Sequence, residues 1–405
     1  MEIFLILKEG ASMNYRINPK NGDKLSILGF GCMRFTKNGL SVDEKEVERQ
    51  ILYAIEKGVN YFDTAYIYPN SEEILGRILD KNNCREKVKI ATKLPPYLVK
   101  KYSDFDKIFN AELERLKTNY IDYYFMHMLT DISTWNRLLD LGVEKWINEK
   151  KAEGKIRNVG FSYHGGKSEF IKLVDAYDWE FCMIQYNYVD ENNQAGKSGL
   201  EYAASKDLPV MIMEPLRGGK LVTGLPKEVE TSFKNSTPSR PPVEWALRWI
   251  WNHEEVAVVL SGMSSFDQVA NNIEIASDSH PNSFTKSDLK LFETIKQIMN
   301  SYILVPCTAC DYCMPCPVGV DIPTCFSCYN DIKLEGKMRA LTTYFMQTSL
   351  KTSTTNASKC IKCGKCEKHC PQGIKIIEKL GEVQKNLEGF HYKPLKYITK
   401  KFMKL

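Results

Sequence analysis

Eight short runs rich in β-branched and aromatic residues, each followed by an amphipathic stretch of helical length, occupy the chain up to about Ala276. The runs are 26–31, 60–64, 88–94, 121–127, 156–162, 182–188, 209–214 and 256–261, and helical periodicity predicts helices such as 43–57, 71–81, 106–117, 143–154 and 242–252. A helix between two strands returns the chain to the end where the first strand began, so such strands lie parallel. Eight units in about 250 residues suffice to close a parallel sheet on itself. The predicted class is therefore α/β, with a (β/α)8 TIM barrel over residues 14–282. A doubly wound sheet is the rival, but it needs a glycine-rich phosphate turn after its first strand. Gly29-Phe30-Gly31-Cys32-Met33-Arg34 lacks the third glycine.

At 405 residues the chain exceeds what one core fills, and the remainder has a different composition. Residues 1–13 read as an N-terminal extension, 283–302 as a linker and helix, and 303–405 as a small, mostly helical iron-sulfur domain ending in a basic helix. Ten of the thirteen cysteines fall in that last part. Cys360, Cys363, Cys366 and Cys370, followed by Pro371, form C-x2-C-x2-C-x3-C-P, the bacterial ferredoxin run, in which a loop wraps a four-iron cube and places successive thiolates on different irons. Zinc is the alternative, although structural zinc sites usually take two C-x-x-C pairs separated by a longer stretch. Cys307, Cys310, Cys313 and Cys316, followed by Pro317, repeat the pattern with a shorter last gap. In two-cluster ferredoxins the fourth cysteine of each run ligates the other cluster. That pattern groups Cys307, Cys310, Cys313 and Cys370 on one [4Fe-4S] cluster and Cys360, Cys363, Cys366 and Cys316 on a second. The shorter gap leaves open recruitment of Cys325 or Cys328, which otherwise read as buried thiols on a helix after Pro323. Cys32, Cys84 and Cys182 read as bystanders, and residues 351–358 as a flexible connection between the two runs.

No apolar run approaches the roughly 20 residues of a membrane-spanning helix, and the first residues lack the basic start and cleavage site of a secretory signal. Thiolate clusters and unpaired cysteines fit a reducing compartment, so the expected location is the cytoplasm. From Ile303 onward there are 16 Lys and Arg against 8 Asp and Glu. Eight cluster thiolates would partly balance that excess, which argues against nucleic acid as a partner. The lysines around Leu395, Ile398, Phe402 and Leu405 read as the solvated side of a packed terminal helix, or as a docking face for an acidic electron carrier.

FDTAYIY (62–68), ATKL (91–94) and FMHM (125–128) end the second, third and fourth strands, where a barrel keeps its chemistry. With these motifs the chain resembles the aldo-keto reductases, and specifically members of that family with a ferredoxin-like C-terminal 4Fe-4S domain. The resemblance covers nearly everything after Met13. It implies a catalytic tetrad of Asp63, Tyr68, Lys93 and His127. Reduction of a carbonyl by hydride needs a proton for the developing alkoxide, and a tyrosine with ordinary pKa near 10 needs a nearby cation to tune it toward neutrality. Lys93 would supply that charge, Asp63 would balance Lys93, and His127 would orient the carbonyl oxygen.

The resemblance also implies NAD(P)H, with Ser162 and Gln185 on the carboxamide and the phosphates on two loops. The first carries Leu216, Arg217 and Gly218; the second carries Ser261, Gly262, Ser264, Gln268 and Asn272. The sequence departs from the family pattern at Tyr163, where an asparagine often follows the serine, and at Met213, near the position of a ring-stacking aromatic. Gly262 and Gln268 stand where cations commonly hold the 2′-phosphate, which leaves NADH or NADPH open. The expected function is reduction of a small-molecule carbonyl, or oxidation of the alcohol. Because a cluster moves one electron and a nicotinamide moves a hydride, the alternatives are a ferredoxin-coupled enzyme using flavin, or a redox sensor with a non-catalytic barrel. Residues 128–141 are expected to be a substrate loop.

Overall fold

The computed structural model describes residues 12–39, 41–307, 313–349, 353–370, 372–390, 392 and 394. The chain divides into two compact units, Met1–Thr223 with Thr237–Leu289, and Gly224–Ser236 with Lys290–Leu405. The expectations for residues 1–11 and for the basic helix from 395 onward lie outside the described residues.

In the first unit the eight expected strands are β1 Leu28–Gly31, β2 Tyr61–Asp63, β3 Lys89–Leu94, β4 Ile121–Leu129, β5 Ile156–Tyr163, β6 Phe181–Gln185, β7 Val210–Met213 and β8 Val256–Ser261. Each pairs in parallel with the next, and β8 pairs with β1, closing the barrel. Tyr61, Ala91, Tyr123, Phe125, Phe181, Met183, Met211, Val258 and Leu260 form one buried cluster with Leu25, which comes from a short hairpin of Tyr15–Ile17 and Lys24–Ser26. The barrel is thus a packed core, and polar side chains gather at its C-terminal rim. Only glycine fits at Gly160, since a Cβ there would lie 2.3 Å from the Phe181 carbonyl oxygen across the β5–β6 pair.

The helices begin where the sequence supplies caps. The Asp43 side chain accepts from the Glu46 N–H ahead of Glu44–Glu56, and Asp131 accepts from Thr134 N–H ahead of Ile132–Asp140. That second helix corrects the reading of 128–141 as a loop. It spans nine residues and buries Trp135 and Leu138 on one face, too short a stretch for periodicity to reveal.

Between β3 and the helices Ser71–Lys81 and Ser103–Leu116 lie two buried carboxyl groups, Glu72 and Glu112. Thr92 donates to Glu72, Tyr124 donates to Glu112 at 2.7 Å, and Arg115 pairs with Glu72 at 3.1 Å. Burial, then the neighbouring Glu72 charge, hold the Glu112 pKa well above the ordinary carboxylate range. The folded chain therefore keeps a proton that the unfolded chain releases near pH ~4.3. This contribution to stability is complete below that pH and declines as pH rises toward the folded value, by about 1.4 kcal/mol per pH unit. Glu112→Gln keeps the neutral form at every pH, so the variant is expected to gain stability relative to the wild type between pH 5 and 8 in urea melts, while a constant difference would contradict a buried proton.

In the second unit, helices Ile322–Glu335, Lys337–Ser349 and Ile376–Leu387 enclose a core of Val305, Val320, Phe326, Tyr344, Leu380 and Val383 among others. Cys325 and Cys328 are buried in it. The described part of 351–358 is not a free connection. Thr355 N–H donates to Thr348 O at 2.8 Å, its carbonyl accepts from Asp321 N–H at 2.9 Å, and Ala357 N–H donates to the buried Tyr344 hydroxyl at 2.8 Å. Small polar residues read as linker, but here they satisfy backbone groups between helices. Among the described residues no helix is long and apolar enough to cross a membrane.

Candidate active site and cluster cavity

Inward alternation on β3 turns Lys93 into the barrel while Thr92 faces the helices. The Lys93 Nζ donates to Asp63 Oδ1 at 2.6 Å and to the Thr64 carbonyl at 2.6 Å, with both charged side chains buried at the end of β2. Burial opposes the Lys93 ammonium, but the Asp63 carboxylate together with Tyr68 holds the lysine pKa above its ordinary value, while burial, offset in part by Lys93, leaves the Asp63 carboxyl above its own. The two form a buried, tightly coupled pair. Tyr68 follows on a turn in which its N–H donates to Ala65 O and its carbonyl accepts from Ser71 N–H, so the turn runs directly into the helix Ser71–Lys81. The Lys93 Nζ lies 5.2 Å from the Tyr68 ring centroid.

Lys93 was expected to tune Tyr68 toward neutrality, and its charge acts in that direction against the burial of the ring. Burial pushes the phenol above its ordinary pKa, Lys93 offsets this in part, and Asp63 and Glu214 add to the rise. The phenol is thus protonated at neutral pH. His127 stands edge-on to Tyr68 with ring centroids 6.0 Å apart. It lies within a register shift between Met126 and Leu129, with Met128 at φ 53° and its N–H donating to Ser162 Oγ at 2.8 Å. Such a bulge re-aims side chains at a strand end. Burial, then the Lys93 charge, hold His127 well below the usual histidine pKa, so the ring is neutral. Asp63 Oδ2 and His127 Nδ1 are buried with no hydrogen-bond partner among the described residues.

Several site features escaped the sequence reading. Cys32, taken as a bystander, is buried close enough to Asp63 and Lys93 to feel both charges. His164, after β5, is held to a pKa of about 4 by burial and lies near enough to His127 to lower it further. A third is a network around Gln185: its Nε2 donates to Asp190 Oδ2 at 3.0 Å, and its Oε1 accepts from Gln194 at 2.7 Å. Polar residues in loops after strands carry no period by which a sequence could announce them.

Of the expected cofactor residues, Ser162, Gln185, Leu216, Arg217, Gly218, Ser261, Gly262, Ser264, Gln268 and Asn272 all follow or end β5 to β8. Glu214, Arg217, Gly218 and Gly219 have positive φ (54°, 46°, 65° and 96°), folding the first loop tightly after β7. Asn272 donates to Ser261 Oγ at 3.1 Å, and Gln268 Oε1 accepts from the Ser264 N–H at 2.9 Å, closing the second loop on itself. Among the described residues the buried Gln194 Oε1 accepts no hydrogen bond of good geometry, although Gln194 lies close enough to His164 to act on its ring.

In the second unit a small pocket is lined by Cys316, Cys360, Cys363 and Cys366 together with Pro317, Val318, Ile322, Ile361 and Leu380. The structure thus brings Cys316 together with three cysteines of the second run. Lys362 N–H donates to Cys360 Sγ at 3.4 Å. Cys307, Cys313 and Cys370 pack half-buried against the same core, and Cys310 lies outside the described residues. Among the described residues no three His, Cys, Asp or Glu side chains converge around one ion. A four-iron cube takes one thiolate per iron and so needs thiols spread around a cavity.

The family model described as "Aldo/keto reductase family" matches residues 27–290, and "4Fe-4S dicluster domain" matches residues 306–374. Protein tas of Escherichia coli is 24% identical over 325 residues, covering 65% of this chain and 92% of that protein. A probable aldo-keto reductase 1 from Glycine max is 34% identical over 155 residues, 35% of this chain and 42% of that one. Among solved structures, the holo form of aldo-keto reductase AKR11C1 from Bacillus halodurans is similar with a TM-score of 0.58 and 26% identity, covering 70% of this chain and 96% of that chain.

Proposed function

The chain belongs to the aldo/keto reductase family, and from that premise we propose that this oxidoreductase reduces a small-molecule carbonyl, or oxidises the alcohol, by hydride exchange with NADH or NADPH. The observation that carries the reading is the buried Lys93–Asp63 ion pair beneath Tyr68 and His127. When bound, the nicotinamide supplies or accepts the hydride. Tyr68, protonated by virtue of its burial, gives its proton to the carbonyl oxygen, and Lys93 stabilises the phenolate left behind. Asp63 keeps Lys93 charged and fixed. The neutral His127 ring offers an N–H to the same oxygen without adding a second cation beside Lys93. Ser162, Gln185 and the loops after β7 and β8 would hold the dinucleotide.

In the second unit we assign Cys316, Cys360, Cys363 and Cys366 to one [4Fe-4S] cluster and Cys307, Cys310, Cys313 and Cys370 to another. The cavity lined by the first set supports the crossed arrangement. The cytoplasm is the compartment that keeps such clusters and the five remaining cysteines reduced. The test of the barrel reading is anaerobic NADH and NADPH oxidation over a panel of aldehydes and ketones. Tyr68→Phe is expected to lower the rate by about 10²-fold with little change in dinucleotide affinity; undiminished turnover would remove Tyr68 from the role.

A second reading rests on Met213, which leaves no aromatic ring to stack on a nicotinamide at the end of β7. It makes the protein a ferredoxin-coupled enzyme using flavin. Absorption spectra of the anaerobically purified chain report flavin and clusters together, and absence of flavin with no cluster reduction by ferredoxin would end it.

A further inference from the structure

Asp190, between β6 and the helix Gly196–Ala204, had no place in the expected site, yet it is the meeting point of the residues that do. Its Oδ2 accepts from Gln185 Nε2 at 3.0 Å and from Asn187 Nδ2 at 2.9 Å, and forms an ion pair with Arg217 Nε at 3.1 Å. Asp190 and Arg217 are 7% and 8% exposed, so the pair is shielded from solvent screening. Asn187 fixes the carboxylate from behind: its Oδ1 accepts from the Asp190 N–H at 2.9 Å, and its Nδ2 also reaches the Glu214 carbonyl at 3.2 Å. Glu214 begins the tight loop that carries Arg217.

A carboxylate accepts and does not donate, so Asp190 settles which way the Gln185 amide faces: Nε2 toward Asp190 and Oε1 toward Gln194. The same oxygen holds the guanidinium of Arg217 by its Nε. Gln185 belongs to the carboxamide end of the proposed cofactor and Arg217 to its phosphate end. We propose that Asp190 is a positioning residue that couples the two ends of a bound dinucleotide, its one oxygen being shared between the amide that orients the nicotinamide and the arginine that faces the phosphates. A phosphate drawing on Arg217 weakens that residue's hold on Asp190, and Asp190 then binds the Gln185 amide more firmly. Phosphate contact thereby tightens the carboxamide contact.

This inference rests on the nicotinamide reading above. The test is a double-mutant cycle on dinucleotide affinity, read by quenching of protein fluorescence on titration of the full chain with NADH and NADPH, without any carbonyl. Gln185→Ala and Arg217→Met, alone and together, are expected to be non-additive in Kd by about fivefold or more. In an Asp190→Asn background the same two changes should become additive. Because Asp190→Asn removes the charge facing Arg217 and can cost stability, the cycle with Asp190 intact is measured first and thermal melts accompany each variant. Additive effects with Asp190 intact, in a chain that binds dinucleotide, overturn the coupling alone. Non-additivity that persists in folded Asp190→Asn also overturns it, since the coupling then runs by another route. A wild-type chain that binds neither dinucleotide overturns both this proposal and the nicotinamide reading on which it stands.

Discussion

Lys93→Met is expected to lower kcat/KM for carbonyl reduction by about 10³-fold and to cost about 3–5 kcal/mol of folding stability. The two losses have one origin. The Lys93 Nζ is 1% exposed and satisfies both Asp63 Oδ1 and the Thr64 carbonyl at 2.6 Å. Methionine matches the length of the side chain but donates nothing. The Asp63 carboxylate, whose Oδ2 already lacks a partner, would remain buried and unpaired. Tyr68, already pushed up by burial, would lose the cation that partly offsets it, so a phenolate would become still harder to form. Adding Asp63→Leu to Lys93→Met separates the effects. The apolar pair is expected to recover most of the stability in urea melts, as buried ion pairs replaced by packed apolar groups do, while the rate stays at the level of the single variant. Recovery of both together would mean that the pair only closes the barrel.

The alternation of strands and helices was legible because every barrel strand is buried on both faces and every helix on one. Composition and period therefore change at each boundary. Asp63, Lys93 and His127 stood out as charged or polar residues at the ends of apolar runs, and the barrel puts them together at one rim. The network around Asp190 was not legible. Gln185, Asn187, Gln194 and Arg217 meet there from two loops, and their hydrogen bonds depend on positive-φ turns at Gln194, Glu214 and Arg217. The same blindness made 351–358 read as a linker, since the satisfaction of backbone groups by Tyr344 and Thr348 leaves no trace in composition. Cys32 misled for the opposite reason. A thiol in an apolar run looks like packing, and only the closure of β1 onto β2 sets it beside Asp63 and Lys93.

Loss of the clusters should disrupt the second unit far more than any single core substitution. Its buried core includes Val305, Val320, Phe326 and Val383, and six cysteines of the two runs pack half-buried against it. With clusters bound as proposed, those sulfurs would be tied together by iron and would complete the core. Without it, the thiols of Cys316, Cys360, Cys363 and Cys366 line a pocket with nothing to bridge them, and the metal-binding free energy that belongs to folding is gone. Chelation under oxidising conditions is expected to make residues 303–405 protease-sensitive while the barrel retains its helical circular dichroism. Cysteine variants then read the wiring. The wild type should hold about eight irons, and Cys316→Ser and Cys363→Ser should each leave about four with the same cluster signal missing from the electron paramagnetic resonance spectrum. Cys370→Ser should remove the other signal, together with Cys307→Ser. If Cys316→Ser instead abolishes the signal that Cys307→Ser abolishes, each run holds its own cluster. The proximity of Cys316 to Cys360 and Cys366 would then belong to the packing of the core and not to the iron.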